Sequence, residues 1–142
     1  MVKKLIRSRP IWLLVILTLV VAVLYGRPNN MQRIANGSWG GQGIHLEVNE
    51  KSAKVEFDCA HGTIQGPLTI DSKGAFRLKG IFTRERGGPV RSDEKESGES
   101  AIYSGTIKGQ TMSLEIKLEG QDETLVSFEL TQGKAGRLRK CL

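Results

Sequence analysis

From residue 44 onward apolar and polar positions alternate. Ile44, Leu46 and Val48 are separated by His45 and Glu47, and Val55 and Phe57 by Glu56. Phe76, Leu78, Gly80 and Phe82 enclose Arg77, Lys79 and Ile81, while Met112, Leu114, Ile116 and Leu118 enclose Ser113, Glu115 and Lys117. Val126, Phe128 and Leu130 close the series. Successive side chains on a strand point to opposite faces, so each stretch predicts a strand with one apolar and one wet face. Breakers suited to hairpins stand between them: NEKS at 49–52, DSKG at 71–74, KGQ at 108–110 and EGQDE at 119–123. Roughly eight short strands without an amphipathic helix predict a small all-β antiparallel barrel, lipocalin-like or sandwich-like. Closure is favoured because it removes the edges an open sheet exposes.

The pattern is different at the N-terminus. IWLLVILTLVVAVLY, residues 11–25, is a run of 15 uncharged residues behind Lys3, Lys4, Arg7 and Arg9. It divides the chain into a signal anchor or signal peptide over 1–26, a polar tether over 27–36 and an exported β-domain over 37–142. A helix of that length spans about 22 Å, short of the roughly 30 Å hydrocarbon core, as in a cleaved signal. The junction AVLYGRP lacks the small residues that signal peptidase reads, and Trp12 and Tyr25 sit at the two edges of the run, as in a retained anchor. The expectation is a single-pass inner-membrane protein held through residues 11–25 with a periplasmic C-terminal domain, or a periplasmic protein if the segment is cleaved.

Charge adds little to this. Of 21 Lys and Arg, four precede residue 10, so 17 face 15 acidic residues in the remainder of a chain whose formal charge is +6. The remaining basic cluster, KAGRLRKCL at the C-terminus, has no aromatic interleaved with it and reads as a solvated strand or tail. Nucleic acid is not an expected partner.

Candidate chemistry concentrates in FDCAHGTIQGPL, residues 57–68, which holds one of two cysteines and one of two histidines. Outside a reducing compartment, an even cysteine count without a C-x-x-C pair reads as one disulfide, here Cys59 with Cys141. A thiol nucleophile needs an oriented His–acid pair, and His61 stands too near Cys59 in the chain to supply one. A zinc site has few ligands to draw on, and Cys-x-His is not a usual spacing. No metal or cofactor is expected. His61, followed by Gly62, is read as a turn residue that caps the backbone or contacts a ligand, and His45 as a solvent-facing sheet residue.

RERGGPVRSDEKESGES, residues 84–100, reads as a long connection whose second half is solvated. Arg84 and Arg86 beside the Gly87–Gly88 turn suit a carboxylate or phosphate, or else pair with acids such as Glu47 or Glu56. Trp39, within GSWGGQG, is either an aromatic plug at a barrel end or part of a ligand mouth.

The blocks GSWGG, DCAHGTI, RERGGPVR and RLRKC, in that order, resemble an uncharacterised group of bacterial exported small β-domains. The resemblance spans Gly37 to Cys141. It implies an envelope location and a paired Cys59 and Cys141, and it implies no activity; the missing lipidation cysteine departs from lipoprotein-like relatives. These readings favour a non-enzymatic envelope module that binds a small anionic ligand or an envelope protein through His61, Arg84, Arg86 and Trp39. The rivals are a hydrolase or isomerase using His61 with Asp58 or Glu85, and a passive structural component with a filled barrel.

Overall fold

The computed structural model describes residues 12, 14–18, 30–89 and 97–141. Ten strands follow in chain order: β1 Gln32–Arg33, β2 Gly37–Gly41, β3 Ile44–Val48, β4 Ser52–Phe57, β5 Ala60–Gln65, β6 Thr69–Ile70, β7 Ala75–Arg84, β8 Glu99–Lys108, β9 Thr111–Leu118 and β10 Val126–Gln132. Eight of them close an antiparallel barrel in the order β10-β2-β3-β4-β5-β7-β8-β9, while β1 and β6 pair separately. The ring is sealed where β10 meets β2, with Thr131 opposite Gly40 and Gln132 opposite Trp39.

The alternating apolar positions become the interior. Ile44 faces Phe57, Leu46 faces Val55 and Val48 faces Ala53 across β3 and β4. Leu114 faces Phe128 and Met112 faces Leu130 across β9 and β10. All eight barrel strands send buried side chains into one core, with Phe128 half-buried against it. Trp39 and Tyr103, 1% and 0% exposed, are its bulkiest members. Tyr103 lies across Gly62 and Gly80, where a Cβ would collide with its hydroxyl and ring respectively. Its hydroxyl donates to the Ile81 carbonyl at 2.8 Å. Burial raises the Tyr103 phenol above its ordinary pKa, because the phenolate would lose its hydration.

One end of the barrel, the floor, is covered. There β1 pairs β6, the Ile34 N–H donates to the Leu68 carbonyl at 2.9 Å, and Ile34 and Leu68 join the core. β2 starts from this same end. The other end, the mouth, carries the β2–β3, β4–β5, β7–β8 and β9–β10 connections. Among the described residues every core residue lies between Ile34 and Leu130, whereas Trp12 and residues 14–18 are exposed. The core of the described residues is therefore complete within residues 30–141, so residues 30–142 are expected to fold without the N-terminal run.

The strands and breakers expected from the alternation are present, with three differences. His61 and Gly62 belong to strand β5, and the turn is Asp58–Cys59. The inward residues Ala60 and Gly62 are too small to mark a strand, because the Tyr103 side chain from β8 fills the space above Gly62. Arg84, Glu99 and Ser100 are strand residues, so the long connection is shorter than 84–100, and the part of it over 90–96 lies outside the described residues. The C-terminal residues are mostly exposed, as expected of a solvated tail, but they are fixed by hydrogen bonds. After β10 they form a strap along the outer wall: Arg137 N–H donates to the Gly41 carbonyl at 3.0 Å, and Gly43 N–H to the Arg137 carbonyl at 2.8 Å. Of the apolar run 11–25, Trp12 and residues 14–18 are described and helical, and the rest lies outside the described residues. Among the described residues no helix is long and apolar enough to cross a membrane.

Candidate functional site at the barrel mouth

The strap ends at the mouth. Asp58, in the β4–β5 turn, accepts the Arg139 backbone N–H on Oδ1 at 2.6 Å. Just beyond, one residue after Asp58 and two after Arg139, Cys59 and Cys141 form a disulfide with a Cα–Cα distance of 5.2 Å. Joined in the disulfide, Cys59 and Cys141 offer no free thiol, and the Asp58 carboxylate anchors the chain end through Oδ1. Gly136 on the strap packs so closely against His45 and the Ile44 carbonyl that a Cβ would not fit there, nor at Gly40, against which residues 134–136 pack.

His61 reaches the second carboxylate of that reading. On the outer wall, His61 Nδ1 lies 3.0 Å from Glu85 Oε1. The Lys140 ammonium stands 3.7 Å from the same oxygen and 3.8 Å from Glu56 Oε2. His45, Glu56, His61 and Thr83 follow one another as cross-strand partners on β3, β4, β5 and β7. This row of outward-facing polar residues, of which Thr83 is buried, is crossed by the strap at Gly136 and Lys140. Among the described residues no group of three or more His, Cys, Asp or Glu is placed to hold a metal.

The mouth itself holds an apolar bowl of about 430 Å³. Phe57, Phe82 and Phe128 form its base, with ring centroids 5.5 Å apart for both Phe57–Phe82 and Phe57–Phe128. Ala60, Leu125 and Val126 form its sides, and Gly43, Asp58, Cys59 and Arg84 complete the lining. Phe57 and Phe82 are 5% and 6% exposed, whereas Leu125 is 38% exposed, so the bowl has a rigid base and an open lip. The β9–β10 ladder extends to Val126–Ile116 at the mouth, while β2 turns back at Gly41, leaving the bowl's side cut low.

Of the four ligand candidates from the sequence, Arg84 alone lines this bowl. It is exposed, and its Nε lies 3.9 Å from Glu99 Oε2 across β7 and β8. Arg86 follows in the β7–β8 connection, exposed and beyond the strand end. Neither Glu47 nor Glu56 is the acid that meets Arg84. Trp39 is inside the core, and His61 is on the wall outside the bowl. The aromatic base was not singled out from sequence because its outermost members lie 71 positions apart, on β4, β7 and β10. Their signal was available in one respect: Phe57 and Phe82 close alternating runs near the mouth ends of β4 and β7, and Phe128 stands near the start of β10, which is its mouth end.

Comparison with protein-family models, with curated proteins and with solved structures finds no match for the chain.

Proposed function

We propose that this chain is a non-enzymatic binding module of the cell envelope, a filled, disulfide-closed barrel that works through its mouth. The observation that carries the reading is the apolar bowl at the end opposite to the one where β2 starts. With residues 11–25 as a membrane anchor, a tether entering at the floor turns the mouth away from the bilayer. Trp39, Tyr103 and the inward residues of all eight strands occupy the interior, which argues against a carrier that encloses its cargo. An acid–base enzyme needs its His–carboxylate pair in a concave site, and His61 and Glu85 stand on the outer wall.

The filled interior equally suits a passive envelope component, and one experiment separates the two. A photoreactive amino acid is placed at Leu125 in the full chain, in its native host, with a control at the exposed wall residue Thr63. A binding module gives a discrete light-dependent adduct, protein or small molecule, from position 125 alone, and loses it in Phe128→Ser. No adduct, or the same adducts from both positions, leaves the passive reading.

A further inference from the structure

We infer that the mouth bowl binds a single-chain amphiphile with an anionic head, of which an aliphatic carboxylate is the simplest, tail on the three phenylalanines and head on Arg84. The inference rests on the reading of the mouth as a binding site and names its ligand class.

Three features lead to this chemistry. A volume of about 430 Å³ lies toward the small end of ligand sites, which run from about 300 to 1,000 Å³, and suits one short chain better than a two-chain lipid. The base and sides offer rings and aliphatic carbons, surfaces that a methylene chain covers and a sugar or nucleotide does not. Charge enters the lining at two points, Asp58 and Arg84. Asp58 is half-buried and holds the Arg139 N–H on Oδ1 at 2.6 Å, which fixes its carboxylate on the strap side, with Oδ2 toward Gly43, and leaves Arg84 as the cationic group of the lining. Arg84 is 61% exposed at its side chain, and Glu99 stands 3.9 Å away, beyond direct hydrogen-bond distance. A carboxylate at the lip gives that guanidinium a short, charge-assisted partner. A cationic head would instead meet Arg84 with like charge.

The orientation fits as well. The bowl opens at the end away from the floor, so a membrane-held barrel offers it to free amphiphiles in solution rather than to the bilayer of its own anchor.

Residues 30–142, labelled with nitrogen-15 and carrying the disulfide, test the inference by amide shifts during titration with decanoate, octanoate and decyltrimethylammonium. Decanoate is expected to shift the amides of Gly43, Ala60, Leu125 and Val126 saturably. Each methylene removed should weaken binding by up to about fourfold, so octanoate binds more weakly. Arg84→Gln should weaken decanoate about tenfold, consistent with one charge-assisted hydrogen bond. Leu125→Asp should abolish binding while leaving the remaining spectrum intact. Both residues are exposed, so neither change threatens the fold.

Equal binding of decyltrimethylammonium at the same amides overturns the anionic head. Shifts outside the bowl, or no saturation, overturn the site. If decanoate fails while a protein adduct persists from position 125, the amphiphile is wrong and the mouth is a protein-docking surface. If both fail, the binding reading falls with it.

Discussion

Replacing Tyr103 by phenylalanine removes one oxygen from the barrel interior and isolates what that oxygen does at two pH values. Near neutrality the change deletes the hydrogen bond to the Ile81 carbonyl, 2.8 Å in length, and costs about 1 kcal/mol. At alkaline pH the balance reverses. Burial holds the folded phenol above its ordinary pKa, whereas the unfolded phenol ionises near pH 10. A group whose folded pKa is raised contributes stability that is fully present below its unfolded pKa and lost as pH climbs above it. Each unit above about pH 10 therefore removes about 1.4 kcal/mol more from the wild type than from Tyr103→Phe, so the two become equally stable close to pH 11. The chain has two tyrosines, Tyr25 and Tyr103, and residues 30–142 keep Tyr103 alone. Urea melts at a series of pH values give the stability difference, and ultraviolet absorbance follows the single phenolate directly. Absorbance and circular dichroism should change together, because the phenol ionises when the barrel opens. A phenolate that titrates reversibly near pH 10 with the barrel intact would refute the reasoning, as would a stability difference that does not change with pH.

Three other outcomes follow from the strap and one turn. Cys59→Ser, Cys141→Ser and the double variant should each lose about 4 kcal/mol in urea melts, the loop-closure value for residues 82 apart, and unequal losses would mean the cysteines do more than pair. Asp58→Ala removes the acceptor of the Arg139 N–H, so at a fixed dithiol concentration the fraction of reduced protein should rise severalfold by thiol-labelling mass analysis; an unchanged fraction would detach Asp58 from the disulfide. Asp71 accepts the Ala75 and Lys73 N–H groups at 2.9 and 2.8 Å, and these bonds, Ala75 first, lower its pKa. Its contribution is present above the ordinary carboxylate pKa and lost as pH falls through the lowered one, so Asp71→Asn should flatten the acid limb of the stability profile, and an unaltered limb would contradict this.

The barrel was legible where large apolar residues alternate with polar ones, as at Ile44–Val48 and Met112–Leu118, because burial of one face leaves that record in the chain. It was illegible where one residue's space is filled by another's side chain. β5 reads as a turn around His61–Gly62 because the volume above Gly62 belongs to Tyr103, 41 positions later. The strap is hidden for a different reason: Arg137 is held through its backbone N–H and carbonyl, and Gly40 and Gly136 admit close approach by having no side chain, so none of these contacts has a compositional signature. The disulfide was legible from the cysteine count, whereas Asp58, its neighbour and the acceptor for the strap, was read as a candidate acid. Arg84 was singled out from its chemistry and lines the bowl, but the apolar lining needed the register that brings Phe57, Phe82 and Phe128 to one end.

The bond between Cys59 and Cys141 also divides the molecule mechanically. It places β5 to β10 inside one covalent loop and leaves β1 to β4 outside it. Tension applied between the N-terminal and C-terminal ends can peel off β1 to β4, breaking the β2–β10 seam and the β4–β5 ladder. Unravelling then stops at Cys59, after the 29 residues from 30 to 58 have extended to roughly 100 Å. The disulfide thus acts as a stop: the barrel lengthens by a fixed amount under load while its last six strands stay covalently looped, and single-molecule extension traces should show one plateau with the bond intact and a longer one after its reduction.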